Sequence, residues 1–125
     1  MANPNLPTLT AAVAAVLFDG QLASGDTDFT VGTGKAWKLE SLSLCNTTGS
    51  AVVISVSVKP STGGTFRKVV SGYSLASNAA GDGTNSLSLD AGKHLPRLLP
   101  EGAVVRINAG TGTAVDVLAT GTVLG

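Results

Sequence analysis

Residues 51–60, AVVISVSVKP, alternate between apolar and polar side chains with a period of two. One parity holds Val52, Ile54, Val56 and Val58. The other parity is mostly polar, with serines and a lysine and a single valine. Successive side chains of a strand point to opposite faces, so this pattern predicts one buried face and one solvated face. The stretch therefore predicts a half-buried antiparallel strand and sets the fold class as β.

Segments of similar length lie on both sides of this strand, separated by turn residues such as Gly, Asn and Asp. We expect strands within 10–22, 27–31, 36–46, 51–60, 66–75, 86–89, 103–109 and 114–125. The Ala-rich start of the first segment is also compatible with a short helix, but Asp19-Gly20 is a hairpin turn signal and favours strand. About eight short strands at this spacing, with no convincing helix, predict an all-β antiparallel β-sandwich or jelly roll.

The segment AWKLESLSLCN (36–46) changes parity along its length. Trp37 and Leu39 share one parity, whereas Leu42 and Leu44 share the other. Either both faces of this strand are partly covered, or a β-bulge near Glu40 resets the alternation.

A short pattern occurs twice, as CNTTGSAVVISV (45–56) and as NAGTGTAVDVLA (108–119). In each copy an Asn precedes Gly, then Ser or Thr, then Ala-Val and a strand. Asn bonds to backbone two residues on and Gly tolerates positive φ, so the pattern predicts turn chemistry in hairpins. The final two strands are expected to form such a hairpin around GTGT. The N-glycosylation sequon at Asn46 is then interpreted as accidental, because no signal peptide is recognisable.

At 125 residues the chain has the length of one domain. Residues 1–9, MANPNLPTL, contain two prolines and no alternation, which predicts an extended N-terminal arm followed by a single β-sandwich domain at 10–125. Arms of this kind are ordered mostly against a neighbour. We therefore expect partner contacts at Asn3, Pro4, Leu6 and Pro7.

The charge balance argues against nucleic-acid and membrane partners. Lys and Arg number 8, Asp and Glu number 8, and charged residues make up only 13% of the chain. A neutral surface offers no electrostatic footprint for nucleic acid or anionic lipid and repels its own copies weakly. Such a chain is suited to self-association, and we expect a homo-oligomer.

No catalytic, cofactor or metal site is predicted. The single His94 and single Cys45 are too few for a zinc site or a disulfide, and no nucleophile motif accompanies His94. GTGK at 32–35 lacks the other residues of a phosphate-binding loop and is interpreted as a turn.

Asp26 and Asp28 share a strand face and could hold Ca²⁺, but solvated aspartates are favoured because no EF-hand spacing exists. The aromatic-basic cluster at Phe66-Arg67-Lys68 is too sparse for nucleic-acid stacking.

Two longer stretches resemble small virion proteins of tailed bacteriophages. They are GKAWKLESLSLCNTTGSAVVISVSV (34–58) and LPEGAVVRINAGTGTAVDVLATG (99–121). The shared pattern is a strand entered through Gly-Lys, an Asn-Thr-x-Gly-Ser-Ala turn, a Leu-x-x-Gly strand and an Ala-Val-Asp hairpin. This chain departs from it at Ala103, where a polar residue is usual, and at Phe29 and Gly32, where Tyr and Pro are common.

The resemblance implies a non-enzymatic structural protein of the virion, assembled in the host cytoplasm. Capsid decoration through symmetric contacts with the major capsid protein or other virion proteins is the first expectation. The alternative is an adhesion module at the neck, collar or tail fibre that binds a host receptor or glycan through the loop 78–85, with Tyr73 or Trp37 nearby. A small jelly-roll enzyme is a third hypothesis. Further candidate partner contacts are Leu95, Leu98, Leu99 and Tyr73.

Overall fold

The computed structural model describes residues 12–78, 85–93 and 95–125. The predicted arm at 1–9 with its four contact residues, His94 and most of the 78–85 loop lie outside the described residues. Nine strands and no helix make up the regular structure of the described part. They are β1 (Ala12–Gln21), β2 (Gly25–Thr30), β3 (Ala36–Asn46), β4 (Val52–Lys59), β5 (Arg67–Leu75), β6 (Ser86–Asp90), β7 (Leu98–Leu99), β8 (Val104–Ala109) and β9 (Val115–Leu124).

The strands form two antiparallel sheets. One has the order β1-β9-β3-β6, with the two-residue β7 also pairing with β3, and the other has the order β2-β8-β4-β5. The pairing is nested, because β1 pairs with β9, β2 with β8, β3 with β6 and β4 with β5. This is the connectivity of a long antiparallel hairpin wrapped into two sheets, which defines a jelly roll. The predicted all-β sandwich is confirmed.

The core lies between the two sheets and is built by alternation. In β4 every second residue from Val52 to Val58 is buried, as the sequence pattern predicts. β8 contributes Val105 and Ile107, and β9 contributes Val115 and Val117. Burying a branched side chain of this size stabilises the fold by about 1.5–3 kcal/mol. The buried alternate residues of the two sheets therefore supply much of the free energy that holds the sheets together.

The parity change in β3 is a β-bulge. The register of β3 against β9 shifts between Leu39 and Ser41, so Leu39 before the bulge and Leu42 after it both face the core. Gly121 of β9 pairs with Leu39 at this point. A Cβ atom at position 121 would collide with the carbonyl oxygen of Lys38, so the close approach of the two strands requires glycine.

The hairpin predicted at Asp19-Gly20 is wrong. β1 continues through both residues, which pair with Leu118 and Val117 of β9. Gly20 has φ 142° and extends the strand rather than turning it. The chain turns after Leu22, whose buried side chain and backbone bonds to Val115 and Thr113 hold it on the core. Pairing along β9 outweighs the local preference of Asp-Gly for a turn.

The repeated Asn-Gly pattern does not form hairpins either. Its first copy joins β3 to β4 and its second joins β8 to β9, and in each case the two strands belong to different sheets. The loops are therefore arches that cross the sandwich. The expected positive φ at Gly is also absent from both copies; in the second copy Thr113 takes it, with φ 56°. Alternation identifies the buried face of a strand, but it does not identify the sheet that the strand joins.

Candidate functional site

The outer face of the four-stranded sheet carries a polar trough with a volume of about 420 Å³. Ser55 and Ser57 of β4 form its floor, because these small side chains alternate with the buried valines. The other lining residues are Asp26, Arg106, Asn108, Phe66 and Lys68. We call these seven residues the trough. Cross-strand pairing places them together: Arg106 lies beside Ser57, and Asn108 beside Ser55.

Arg106 is fixed in the wall of the trough by β2. Its Nε and Nη2 atoms donate to the two carboxylate oxygens of Asp28 at 2.7 and 2.9 Å, and its Nε lies 3.8 Å from Asp26. The hydrogen bond from Arg106, and then its charge, hold the pKa of Asp28 below the ordinary value, and the same pair raises the pKa of Arg106. Bidentate pairing orients the guanidinium plane, so its remaining N–H groups keep a defined direction.

Phe66 packs against this guanidinium. The Cζ atom of Arg106 lies 3.8 Å from the centroid of the Phe66 ring, and the Nζ atom of Lys59 lies 5.6 Å from it. A cation at this distance is attracted by the ring face. Arg106 therefore connects β2 to the segment before β5. Asp28, Arg106 and Phe66 together form one wall of the trough.

The trough retains hydrogen-bonding capacity for a ligand. Asn108 donates through Nδ2 to Asp26 at 2.9 Å, so its Oδ1 remains an acceptor. Ser55 accepts a hydrogen bond from the backbone N–H of Gly72 at 2.9 Å, so its hydroxyl proton remains a donor. Lys68 has no ion pair within the described part of the chain. Hydrogen-bond donors and acceptors therefore lie close together around the hydroxyl groups of Ser55 and Ser57, which we call the hydroxyl floor.

Sequence reasoning identified some members of this site without joining them. It placed Asp26 and Asp28 on one face and noted Phe66 with Lys68, but it missed Arg106 and Asn108. The sequence does contain a signal for these two residues: Arg106 and Asn108 are polar residues at alternate positions of a strand. In the sheet they lie opposite Ser57 and Ser55 of β4. Arg106 donates hydrogen bonds to Asp28, and Asn108 donates one to Asp26, so both aspartates have protein partners. Among the described residues no group of three His, Cys, Asp or Glu could hold a metal ion.

The GTGK segment is a turn, as expected. Lys35 N–H donates to the carbonyl of Gly32 at 3.1 Å, and Gly34 has φ 74°. The N–H of Gly34 donates to a carboxylate oxygen of Glu101, so an internal acid occupies the donor that a phosphate would need. No helix of the described residues is long and apolar enough to cross a membrane.

Asn46, the first Asn of the repeated pattern, is a structural residue. It is fully buried, and its Nδ2 lies within bonding distance of the carbonyls of Ser50, Leu75 and Ala76 at 2.8, 3.3 and 3.0 Å. Its Oδ1 accepts from the backbone and hydroxyl of Thr48, which confirms the expected bond to the residue two positions on. The sequon at this Asn therefore presents a buried side chain.

The predicted contact residues divide into two groups. Leu95 and Leu99 are buried in the core, so the expectation that they meet a partner is corrected: they fill the end of the sandwich beside β3. Leu98 is 56% exposed and Tyr73 is also exposed, and both remain candidate contacts. Trp37, which was expected near the candidate glycan-binding loop, is buried against Phe18, with ring centroids 5.7 Å apart.

An exposed apolar surface lies at β1, the strand at one edge of its sheet. Val13 is 57% exposed and Val16 is 55% exposed, although both belong to a strand that reads AVAAVL from Ala12 to Leu17. Val13 pairs with Val123 and Val16 with Thr120 in the adjoining β9. Every side chain of this segment is apolar; Ala15 and Leu17 are partly buried, and the other four residues are exposed. We call residues 12–17 the β1 edge.

Comparison with known proteins yields similarity of structure only. No protein-family model matches the chain, and no curated protein matches it. The pentamer-forming, histone-binding core of Drosophila NLP superposes with a TM-score of 0.46 at 13% identity, covering 85% of this chain and 95% of that one. The infectious bursal disease virus Gx strain structure gives a TM-score of 0.31 at 10% identity, covering 91% of this chain and 39% of that chain. At these values the likeness assigns neither a family nor a function.

Proposed function

We propose that this chain is a non-enzymatic structural protein of a bacteriophage virion that decorates the capsid through symmetric protein contacts. The sequence resemblance over 34–58 and 99–121 supports the class of protein. The observation that supports action through contacts is the β1 edge, an apolar segment in the terminal strand of its sheet.

An apolar edge strand is normally protected, since its unpaired backbone groups are a template for another chain. Natural proteins protect such edges with charge, proline or a covering element, and the β1 edge has no charged residue between Ala12 and Leu17. In the described part of the chain it pairs with β9 on one side only. A neighbouring copy of the chain on the other side would bury Val13 and Val16 and pair the free backbone.

Symmetric repetition makes such a contact effective. The formal net charge of zero lets copies approach without mutual repulsion. A standard stable interface buries roughly 1,600 Å² in total, and many smaller contacts around a shell add through effective concentration. Leu98 and Tyr73 lie on other parts of the surface and supply further contacts to the capsid protein in this proposal.

Copy number in the particle tests the proposal. Particles purified from the source are analysed by quantitative mass spectrometry with the major capsid protein as the internal standard. Copies in the hundreds are expected for a shell protein. A few copies would instead locate the protein at a unique vertex, neck or tail, and complete absence from the particles would refute a virion role.

The contact itself is tested by Val16→Lys, with Val53→Lys as the matched control. Both valines are about half exposed, but Val53 lies in β4, an interior strand of the other sheet. We expect Val16→Lys to reduce the oligomer measured by native mass spectrometry, because a lysine at an edge blocks pairing. Equal oligomer content in the two variants and the unaltered chain would contradict the assignment of the β1 edge.

A further inference from the structure

We infer that the trough on the four-stranded sheet is a saccharide site and that it takes a sugar carrying a carboxylate. The inference is independent of where the protein lies on a particle. It also moves the candidate for glycan binding away from Trp37, which is buried in the core.

The shape of the trough suits a small ring. Its volume of about 420 Å³ falls in the lower part of the range of small-molecule sites, roughly 300–1,000 Å³. Two serines form the floor where larger side chains would fill the space. The floor belongs to β4, which is paired on both sides, by β8 and β5, so the site is built on rigid strands.

The polar groups of the trough match the hydroxyls of a pyranose, each of which donates one hydrogen bond and accepts others. Acceptors are Oδ1 of Asn108 and the carboxylate of Asp26, which is held in place by the amide of Asn108. Donors are the hydroxyl of Ser55 and the free N–H groups of Arg106. Phe66 adds an apolar wall for the C–H groups of the ring.

The charge of the trough favours an acidic sugar. Arg106 is matched by Asp28 and lies near Asp26, and these residues orient it. Lys68 has no ion-pair partner among the described residues. A carboxylate on the ligand would supply that partner, and a charge-assisted hydrogen bond is about twice as strong as a neutral one. An acidic peptide could also satisfy Lys68, but it offers only one backbone N–H donor per residue. A pyranose carries several hydroxyls around one ring, which matches the closely spaced acceptors of Asp26 and Asn108 and the hydroxyl floor.

Titration of the ¹⁵N-labelled full chain followed by NMR tests the inference. The probes are glucuronate, glucose and acetate, each raised well above roughly 1 mM, the Kd expected of a weak single site. We expect glucuronate to shift the amides of Ser55, Ser57 and Asn108, glucose to shift the same amides with lower affinity, and acetate to leave them unchanged. Acetate shifts equal to those of glucuronate would overturn the saccharide assignment in favour of a simple anion or acidic-peptide site.

Two variants with matched controls make the test specific. Ser57→Leu fills the floor and should abolish the shifts, whereas Ser43→Leu makes the same change on the outer face of β3 and should not. Lys68→Ala should weaken glucuronate binding roughly fivefold or more and make it equal to glucose binding, whereas Lys38→Ala should not. Shifts that persist in Ser57→Leu, or no shifts with either sugar in the unaltered chain, would refute the site.

Discussion

Replacement of Asn46 by alanine should be among the most destabilising changes in this protein. The side chain takes part in five hydrogen bonds that join the end of β3, the first arch and the end of β5. The bond to the carbonyl of Leu75 is fully buried, and the others are partly buried. Asn46 is the only buried polar residue in the described part of the chain.

The magnitude follows from these contacts. A buried acceptor that loses its partner costs about 1–3 kcal/mol, and each remaining bond contributes about 0.5–1.5 kcal/mol net. Water can replace some of the partly buried bonds, so we count two of them in addition to the bond to Leu75. The expected loss is about 2–6 kcal/mol, a large part of the roughly 5–15 kcal/mol that holds a domain folded.

Urea unfolding measures this loss directly, with fluorescence of the single Trp37 as the probe because that residue is buried beside Phe18. Asn108→Ala is the matched control, since Asn108 occupies the same place in the second copy of the pattern but makes one exposed bond to Asp26. We expect the control to cost less than about 0.5 kcal/mol. Costs for the two variants within about 1 kcal/mol of each other would refute the reasoning.

Three further outcomes are expected. Gly121→Ala should cost about 1–3 kcal/mol by forcing β9 away from β3, whereas Gly49→Ala, where a Cβ meets open space, should be close to neutral in the same urea assay. Asp28→Asn should lower the urea midpoint at pH 7; the depressed pKa of Asp28 stabilises the fold above the unfolded value near 3.8, so the deficit should shrink as pH falls through the lower folded pKa. Phe18→Ala should cost about 3–5 kcal/mol in thermal or urea unfolding, because this ring stacks on Phe29 at 4.1 Å and also touches Trp37.

The sequence was sufficient to predict eight of the nine strands, all except the two-residue β7, because the alternation that marks a strand is local. Alternation in β4 defined the buried face. The parity change in β3 left two interpretations open, a bulge or two partly covered faces, and the register shows the bulge. The turn at Gly34 was also readable from glycine chemistry. In each case the deciding interaction lies within a few residues of the signal.

Arrangement of the strands in space was not predictable in the same way. Asp19-Gly20 carries a strong local turn signal, yet β1 runs through it because pairing with β9, about a hundred residues away in sequence, stabilises the extended form. The two Asn-Gly copies look alike, yet both cross between sheets, and only Asn46 is buried. Which sheet a strand joins depends on the summed burial of both sheets, and no short pattern encodes that sum.

The trough shows the same limit at the level of a site. Asp28 and Arg106 are 78 residues apart in the chain and become a bidentate pair only because β2 and β8 are neighbours in the nested order. Lys68 reaches the same face because bulges in the pairing of β5 with β4 place it opposite Ser57. Polar residues at alternate positions of one strand therefore indicate a solvated face. A site forms only where the polar residues of several neighbouring strands lie side by side in register. The jelly-roll connectivity supplies that register, so the chemistry proposed for this face depends on the fold rather than on any motif.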